Sequence, residues 1–142
     1  MSQSPTEKKI LIIDDESLIL ENLTDIFELE KWKVATANSA QVAIEKIPEF
    51  NPTVILSDIN MPGMSGLELL ALLNSQNSLI PIILLSGYRD MNKMQKAWEN
   101  NVFDFLDKPY EESKLISVAN SAHEFGPDYI IASRKRTYLS SR

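Results

Sequence analysis

Apolar residues fall into two patterns that alternate along this chain. Short continuous runs, Ile10-Leu11-Ile12-Ile13, Val54-Ile55-Leu56, Ile82-Ile83-Leu84-Leu85 and the stretch 102–106, have the length and β-branched content of strands buried on both faces. Between them, apolar positions recur three and four apart, as on one side of a helix. The first strand is expected at 8–13, and a helix at 16–30 carries Leu18, Ile19, Leu23, Ile26, Phe27 and Leu29. A second strand follows at 32–37. Asn38 or Ser39 caps a second helix through Ile47, which Pro48 and Pro52 stop, and a third strand is expected at 53–57. Ser65 and Glu68 have capping-box spacing, predicting a helix over 66–75 that buries Leu67, Leu70 and Leu73 or their neighbours. A strand at 80–85, an Asp90-capped helix at 91–100 with Met94, Ala97 and Trp98, a strand at 102–106 and a helix at 111–124 complete the series. Leu115, Ile116, Val118, Ala119 and Ala122 form the core side of that last helix.

Five strands alternating with five helices predict an α/β fold, a doubly wound parallel sheet of expected order 2-1-3-4-5 with right-handed crossovers. A length of 142 residues suits one domain. We expect a flexible lead-in at 1–7, the domain at 8–125, and a tail or start of a linker at 126–142, where Gly126-Pro127 interrupts the helical period. In that tail Tyr129, Ile130 and Ile131 are the expected anchor, and Arg134-Lys135-Arg136 reads as a solvated charge run. Its 17 residues are too few for a helix-turn-helix reader, so this chain is expected not to bind DNA specifically. No apolar stretch approaches the ~20 residues that span a bilayer, and the start lacks a signal peptide's apolar core, so the expected location is cytoplasmic with no membrane contact. Cysteine is absent, which excludes disulfides, thiolate zinc sites and cysteine nucleophiles. A net charge of -6 weighs against a nucleic-acid surface.

Asp14-Asp15, Asp58, Ser86 and Lys108 each follow a different apolar run. Taken singly they have ordinary explanations: a helix cap, a turn residue, a Ser-Gly turn, a loop charge. In a parallel sheet, however, all five gather at one carboxyl edge, where open α/β sheets hold their sites. Asp14, Asp15 and Asp58 suit a hard, oxygen-seeking cation such as Mg2+, with Mn2+ as a substitute. Such a cation keeps Asp58 ionised as a nucleophile, while Lys108 and the Ser86 hydroxyl bind oxygens of an incoming phosphoryl group. The expected product is an aspartyl phosphate.

The runs Ile10-Leu11-Ile12-Ile13-Asp14-Asp15-Glu16, Ser57-Asp58-Ile59-Asn60-Met61-Pro62-Gly63-Met64-Ser65-Gly66, Leu84-Leu85-Ser86-Gly87-Tyr88 and Phe103-Asp104-Phe105-Leu106-Asp107-Lys108-Pro109 resemble the successive motifs of response-regulator receiver domains, over residues 8–124. The D-x-x-M-P-x-M-x-G run is the specific one. The resemblance implies a flavodoxin-like fold and two-component signalling. It makes Asp58 the phosphoacceptor, Asp15 a direct Mg2+ ligand, Asp14 a ligand mainly through water, and Asn60 a ligand through its backbone carbonyl. It makes Ser86 and Phe105 the switch pair, Lys108 the phosphate-binding cation, Pro109 a cis-proline, and Asn60 and Tyr88 the residues that tune the phosphoryl lifetime. Such a domain takes its phosphoryl group from a histidine kinase or phosphotransfer protein, slowly hydrolyses it, and acts on a downstream protein or an output domain. Beyond this self-phosphorylation and self-hydrolysis, no dedicated enzymatic activity is implied.

Met91, Met94, Trp98, Phe105 and Tyr110 lie in or near the fourth helix, fifth strand and fifth helix, the face that such domains use for homodimers or targets. His123 has no implied role. A haloacid-dehalogenase-type phosphatase also uses an aspartyl phosphate, but places a D-x-D nucleophile after its first strand. Here the paired acids come first and Asp58-Ile59-Asn60 lacks the second acid. A pseudo-receiver that only binds partners is the remaining alternative, and the intact set of five residues speaks against it.

Overall fold

The computed structural model describes residues 7–88 and 90–140, with side chains to residue 136, so the expected lead-in lies outside the described residues except for Glu7. The elements are β1 (Lys9–Ile13), α1 (Ser17–Leu29), β2 (Lys33–Ala37), α2 (Ala40–Phe50), β3 (Val54–Asp58), α3 (Gly66–Ser75), β4 (Ile82–Ser86), α4 (Met91–Glu99), β5 (Asp104–Asp107) and α5 (Glu112–Ser140). The strands form one parallel sheet in the order β2-β1-β3-β4-β5. Strand alternation sends Ile10, Ile12, Leu56, Ile83 and Leu85 to one side, where they meet Leu23 and Phe27 of α1 and Leu115, Ala119 and Ala122 of α5. Leu11, Ile13, Ile55 and Leu84 face the other side, against Ala40 and Ala43 of α2, Leu69, Leu70 and Leu73 of α3, and Ala97 of α4. Burial on both faces is why these strands are apolar throughout.

Local chemistry sets the helix starts. Ser65 and Glu68 make both halves of the capping box, Ser39 caps α2 through Val42 N–H, and the Asp90 carboxylate accepts from the N–H groups of Asn92 and Lys93. Within α4, Ala97 is buried but Trp98 is 46% exposed, so the inward stripe is narrower than its apolar residues suggested.

Two helices run further than their sequence signals predicted. Pro48 does not stop α2, which reaches Phe50 and closes on Asn51 in the left-handed region at φ 54. Pro48 sits in the last turn, where one hydrogen bond is forfeited, while Lys9 Nζ takes the Phe50 carbonyl at 2.9 Å and the Phe50 ring packs on the core. Likewise Gly126-Pro127 does not end α5, which continues to Ser140. The reason is a seam of buried small and apolar positions, Leu115, Ala119, Ala122, Gly126, Ile130 and Ser133, at helical spacing across the dipeptide. Gly126 serves close approach: a Cβ there would lie 2.4 Å from Pro81 Cγ. Tyr129 stacks edgewise on Phe103 and Ile130 is buried, whereas Ile131 faces solvent. Arg134 donates to the Ser78 carbonyl at 2.8 Å and to Asn74 Oδ1 at 3.2 Å, tying α5 to the end of α3.

Candidate functional site

The five residues singled out in the sequence come together at the carboxyl edge of β1, β3, β4 and β5. Backbone hydrogen bonds continue past the strand ends and fix the loops that carry them: Asp14 N to Ala37 O at 3.1 Å, Ile59 N to Leu85 O at 3.0 Å, and Lys108 N to Ser86 O at 2.8 Å. The loop after Asp58 folds back so tightly that Gly66 N reaches Ile59 O at 3.0 Å. A Cβ at Gly66 would sit 2.3 Å from the Asp58 carbonyl oxygen, so glycine is required by space there.

Asp14, Asp15 and Asp58 each offer a carboxylate oxygen within 4.8 Å of the others. Their environments differ. Asp14 is almost fully buried, Asp58 nearly so, and Asp15 is exposed. Asp14 Oδ1 accepts from Glu16 N–H at 2.9 Å, so the first acid closes the β1–α1 turn without serving as the N-cap of α1. Its Oδ2 is buried with no hydrogen-bond partner among the described residues, and Lys108 Nζ lies 4.0 Å away. Burial pushes the Asp14 carboxyl above the usual range; the Glu16 N–H and Lys108 oppose this, while the charges of Asp58 and Asp15 add to it. A divalent cation fits this donor set: hard oxygen ligands, like charges needing neutralisation, and one buried oxygen without a hydrogen-bond partner among the described residues.

Lys108 also approaches Asp58 Oδ1 at 3.4 Å and bridges the two acids from the end of β5. Its peptide bond to Pro109 is cis. Tyr110 follows, its phenol pushed up by burial, with the charges of Asp14 and Glu112 acting in the same direction. Ser86 stands at the end of β4, but its Oγ donates to the Tyr88 carbonyl at 2.6 Å, closing its own loop. The Tyr88 side chain is 80% exposed beside the site. Phe105 is half-buried and packs edgewise on Trp98, ring centroids 5.6 Å apart. Asn60 presents its carboxamide oxygen to Lys93 Nζ at 3.1 Å. Lys93 drew no attention in the sequence because a lysine in a helix's first turn carries no positional signal. His123 lies elsewhere, its Nδ1 2.8 Å from Thr53 Oγ1.

A doubly wound parallel sheet that gathers three carboxylates, a lysine and a hydroxyl at one carboxyl edge defines a flavodoxin-like α/β protein. The chain belongs to the response regulator receiver domain family, whose model matches residues 10–120. It is 30% identical over 117 residues to the transcriptional regulatory protein FixJ of Bradyrhizobium diazoefficiens, covering 82% of this chain and 57% of that protein. It is 33% identical over 118 residues to the C4-dicarboxylate transport transcriptional regulatory protein DctD of Pseudomonas aeruginosa, covering 83% of this chain and 26% of the relative. The chain thus spans about half of FixJ and a quarter of DctD. Among solved structures, the signal receiver domain of an HD domain-containing protein from Pseudomonas fluorescens superposes with a TM-score of 0.80 at 26% identity, over 84% of this chain and 97% of that one. Full-length FixJ from B. japonicum gives 0.78 at 29% identity, over 85% of this chain and 60% of the other. Family membership sets aside the phosphatase alternative. Among the described residues no helix is long and apolar enough to cross a membrane.

Proposed function

We propose that this receiver domain is an active phosphoacceptor, with Asp58 as the residue modified. The observation that carries the reading is the meeting of Asp14, Asp15 and Asp58 within 4.8 Å, with Lys108 Nζ 3.4 Å from Asp58 and 4.0 Å from Asp14. Asp14, Asp15, Asp58 and the Asn60 backbone carbonyl would hold Mg2+, or Mn2+ in its place. When bound, the ion neutralises charge on the donor's phosphoryl oxygens. An Asp58 carboxylate oxygen attacks phosphorus, the phosphorus–nitrogen bond of a phosphohistidine breaks, and the imidazole of a histidine kinase or phosphotransfer protein leaves with its electron pair. Lys108 donates to a phosphoryl oxygen throughout, a role suited to a flexible point charge. Water later attacks phosphorus and releases phosphate, regenerating the carboxylate, and Asn60 and Tyr88 flank that path and set its rate. Exchange with such a donor puts the chain in the cytoplasm.

Output follows from Ser86 and Phe105. Drawn to the phosphoryl group, the Ser86 hydroxyl releases the Tyr88 carbonyl, and Phe105 turns into the vacated space. The face of α4, β5 and α5, with Met91 and Trp98 exposed, then meets a second copy, a downstream protein or an output domain. The chain itself is not proposed to read DNA or bind a membrane. Incubation with acetyl phosphate and Mg2+ followed by intact-mass measurement tests the reading. Wild type should gain one phosphoryl group, and chelator or Asp58→Asn should reduce labelling at least tenfold; equal labelling of the substituted protein would reject Asp58 as the acceptor, and a wild type that gains no phosphoryl group would restore the pseudo-receiver alternative.

A further inference from the structure

Lys93 lies exposed in the first turn of α4, and its ammonium donates to Asn60 Oδ1 at 3.1 Å. Asn60 is two residues beyond Asp58, on a loop pinned at Ile59 from both sides, by Leu85 O to its N–H and by Gly66 N–H to its carbonyl. The contact therefore ties a positive charge to the loop that leaves Asp58, on an element other than the one that supplies Lys108. The helix terminus does not provide this charge, because the Asn92 and Lys93 N–H groups already donate to Asp90 Oδ1. What α4 offers an anion at Asp58 is the Lys93 side chain.

We propose that Lys93 is a second phosphoryl-binding cation. This inference rests on Asp58 being the phosphoacceptor. Its present partner, the Asn60 carboxamide, is neutral, whereas a phosphoryl group brings nearly two negative charges and three strong acceptors. The ammonium's bond to Asn60 is charge-assisted on the donor side alone, whereas a phosphoryl oxygen adds the attraction of opposite charges, so the ammonium exchanges Asn60 for a phosphoryl oxygen. The lysine stem has the reach and freedom for that exchange. Lys93 sits three residues after the α4 cap at Asp90, so the new bond restrains the start of α4, and the phosphoryl group acts on that helix directly as well as through Ser86.

The inference separates Lys93 from the cation site. Its side chain contributes no ligand oxygen and adds positive charge, so removing it leaves Mg2+ affinity unchanged or tighter while weakening anything that mimics the phosphoryl group. Beryllofluoride, a tetrahedral stand-in for an aspartate-bound phosphoryl group, is titrated at saturating Mg2+ into wild type, Lys93→Gln and Lys93→Arg, with Mg2+ alone titrated in parallel. Lys93→Gln is expected to lose roughly threefold to tenfold in beryllofluoride affinity, the effect of a partly screened ion pair with a multiply charged group. Lys93→Arg should stay within about twofold of wild type, and wild-type affinity should fall more steeply with salt than that of Lys93→Gln. Unchanged beryllofluoride affinity in Lys93→Gln, or an equal loss of Mg2+ affinity, would overturn the role of Lys93 while leaving Asp58 intact. A wild type that binds Mg2+ but not beryllofluoride would instead overturn the phosphoacceptor reading, and this one with it.

Discussion

Asp14 is held in a position that is unfavourable for its charge. Burial raises its carboxyl above the usual range, and among the described residues only one of its two oxygens has a hydrogen-bond partner. A folded-state pKa above the unfolded one means that the stability owed to the neutral form is fully present below the unfolded pKa, and is lost as pH rises through the folded one. Metal-free Asp14→Asn should therefore melt higher than wild type at neutral pH, and the gap should narrow as pH falls toward the ordinary carboxylate range. The same substitution should weaken Mg2+ binding at least tenfold, so saturating Mg2+ should stabilise wild type and leave the variant nearly unmoved. Thermal melts at several pH values, with and without Mg2+, measure all three; a variant that melts lower at neutral pH without metal would contradict the assignment. That paired acids follow the first strand was readable from the chain. Which of the two is buried was not, because Asp14 and Asp15 differ by the side of the strand end they leave from, and sequence does not fix the last turn of a strand. Lys93 was invisible for a related reason: its partner is 33 positions away in the chain.

At the scale of elements, the signals that worked were those with a local mechanism. Ser65 and Glu68 satisfy each other's orphan groups within one turn, so the limits of α3 came out as expected. The signals that failed were proline and glycine, whose local penalties are outweighed when distant contacts hold the helix together. Gly126 gives a sharp test. In an ordinary helix interior Gly→Ala stabilises by about 1 kcal/mol. Here the added methyl meets the Pro81 ring at 2.4 Å, a rigid neighbour, and overpacking of this kind costs about 1–3 kcal/mol. Gly126→Ala is expected to destabilise on balance, and Ile130→Ala, which empties a buried position, to cost about 2–4 kcal/mol. Urea unfolding checks both, and phosphoryl uptake should survive in each because the seam lies away from Asp58. A stabilised Gly126→Ala would mean that this half of α5 is only loosely seated.

Across the whole molecule, site position followed from a single regularity: parallel strands need crossovers, and crossovers leave all strand ends of one kind on one edge; the strand order, which crossovers alone do not fix, was supported by the family resemblance. The conformational route from that edge was less accessible, since it depends on which contacts Ser86 and Phe105 make at rest. The Ser86 hydroxyl is engaged with the Tyr88 carbonyl at 2.6 Å, and Phe105 rests on Trp98 of α4. Ser86→Ala should accept the phosphoryl group yet shift the Phe105 ring resonances by less than half the wild-type amount, measured by aromatic NMR with and without beryllofluoride. Identical shifts in the two proteins would uncouple the residues. The longest element leads elsewhere. At 29 residues α5 measures about 43 Å, and its second half leaves the sheet beside Pro81, ahead of β4, where Arg134 fastens it to Ser78 and Asn74. The carboxylate cluster and the departing helix thus occupy opposite poles of the molecule. On the phosphoacceptor reading proposed above, a donor seated over Asp58 would leave the far pole clear, so that a body joined to the end of α5 and the donor could be carried at the same time, neither in the other's way.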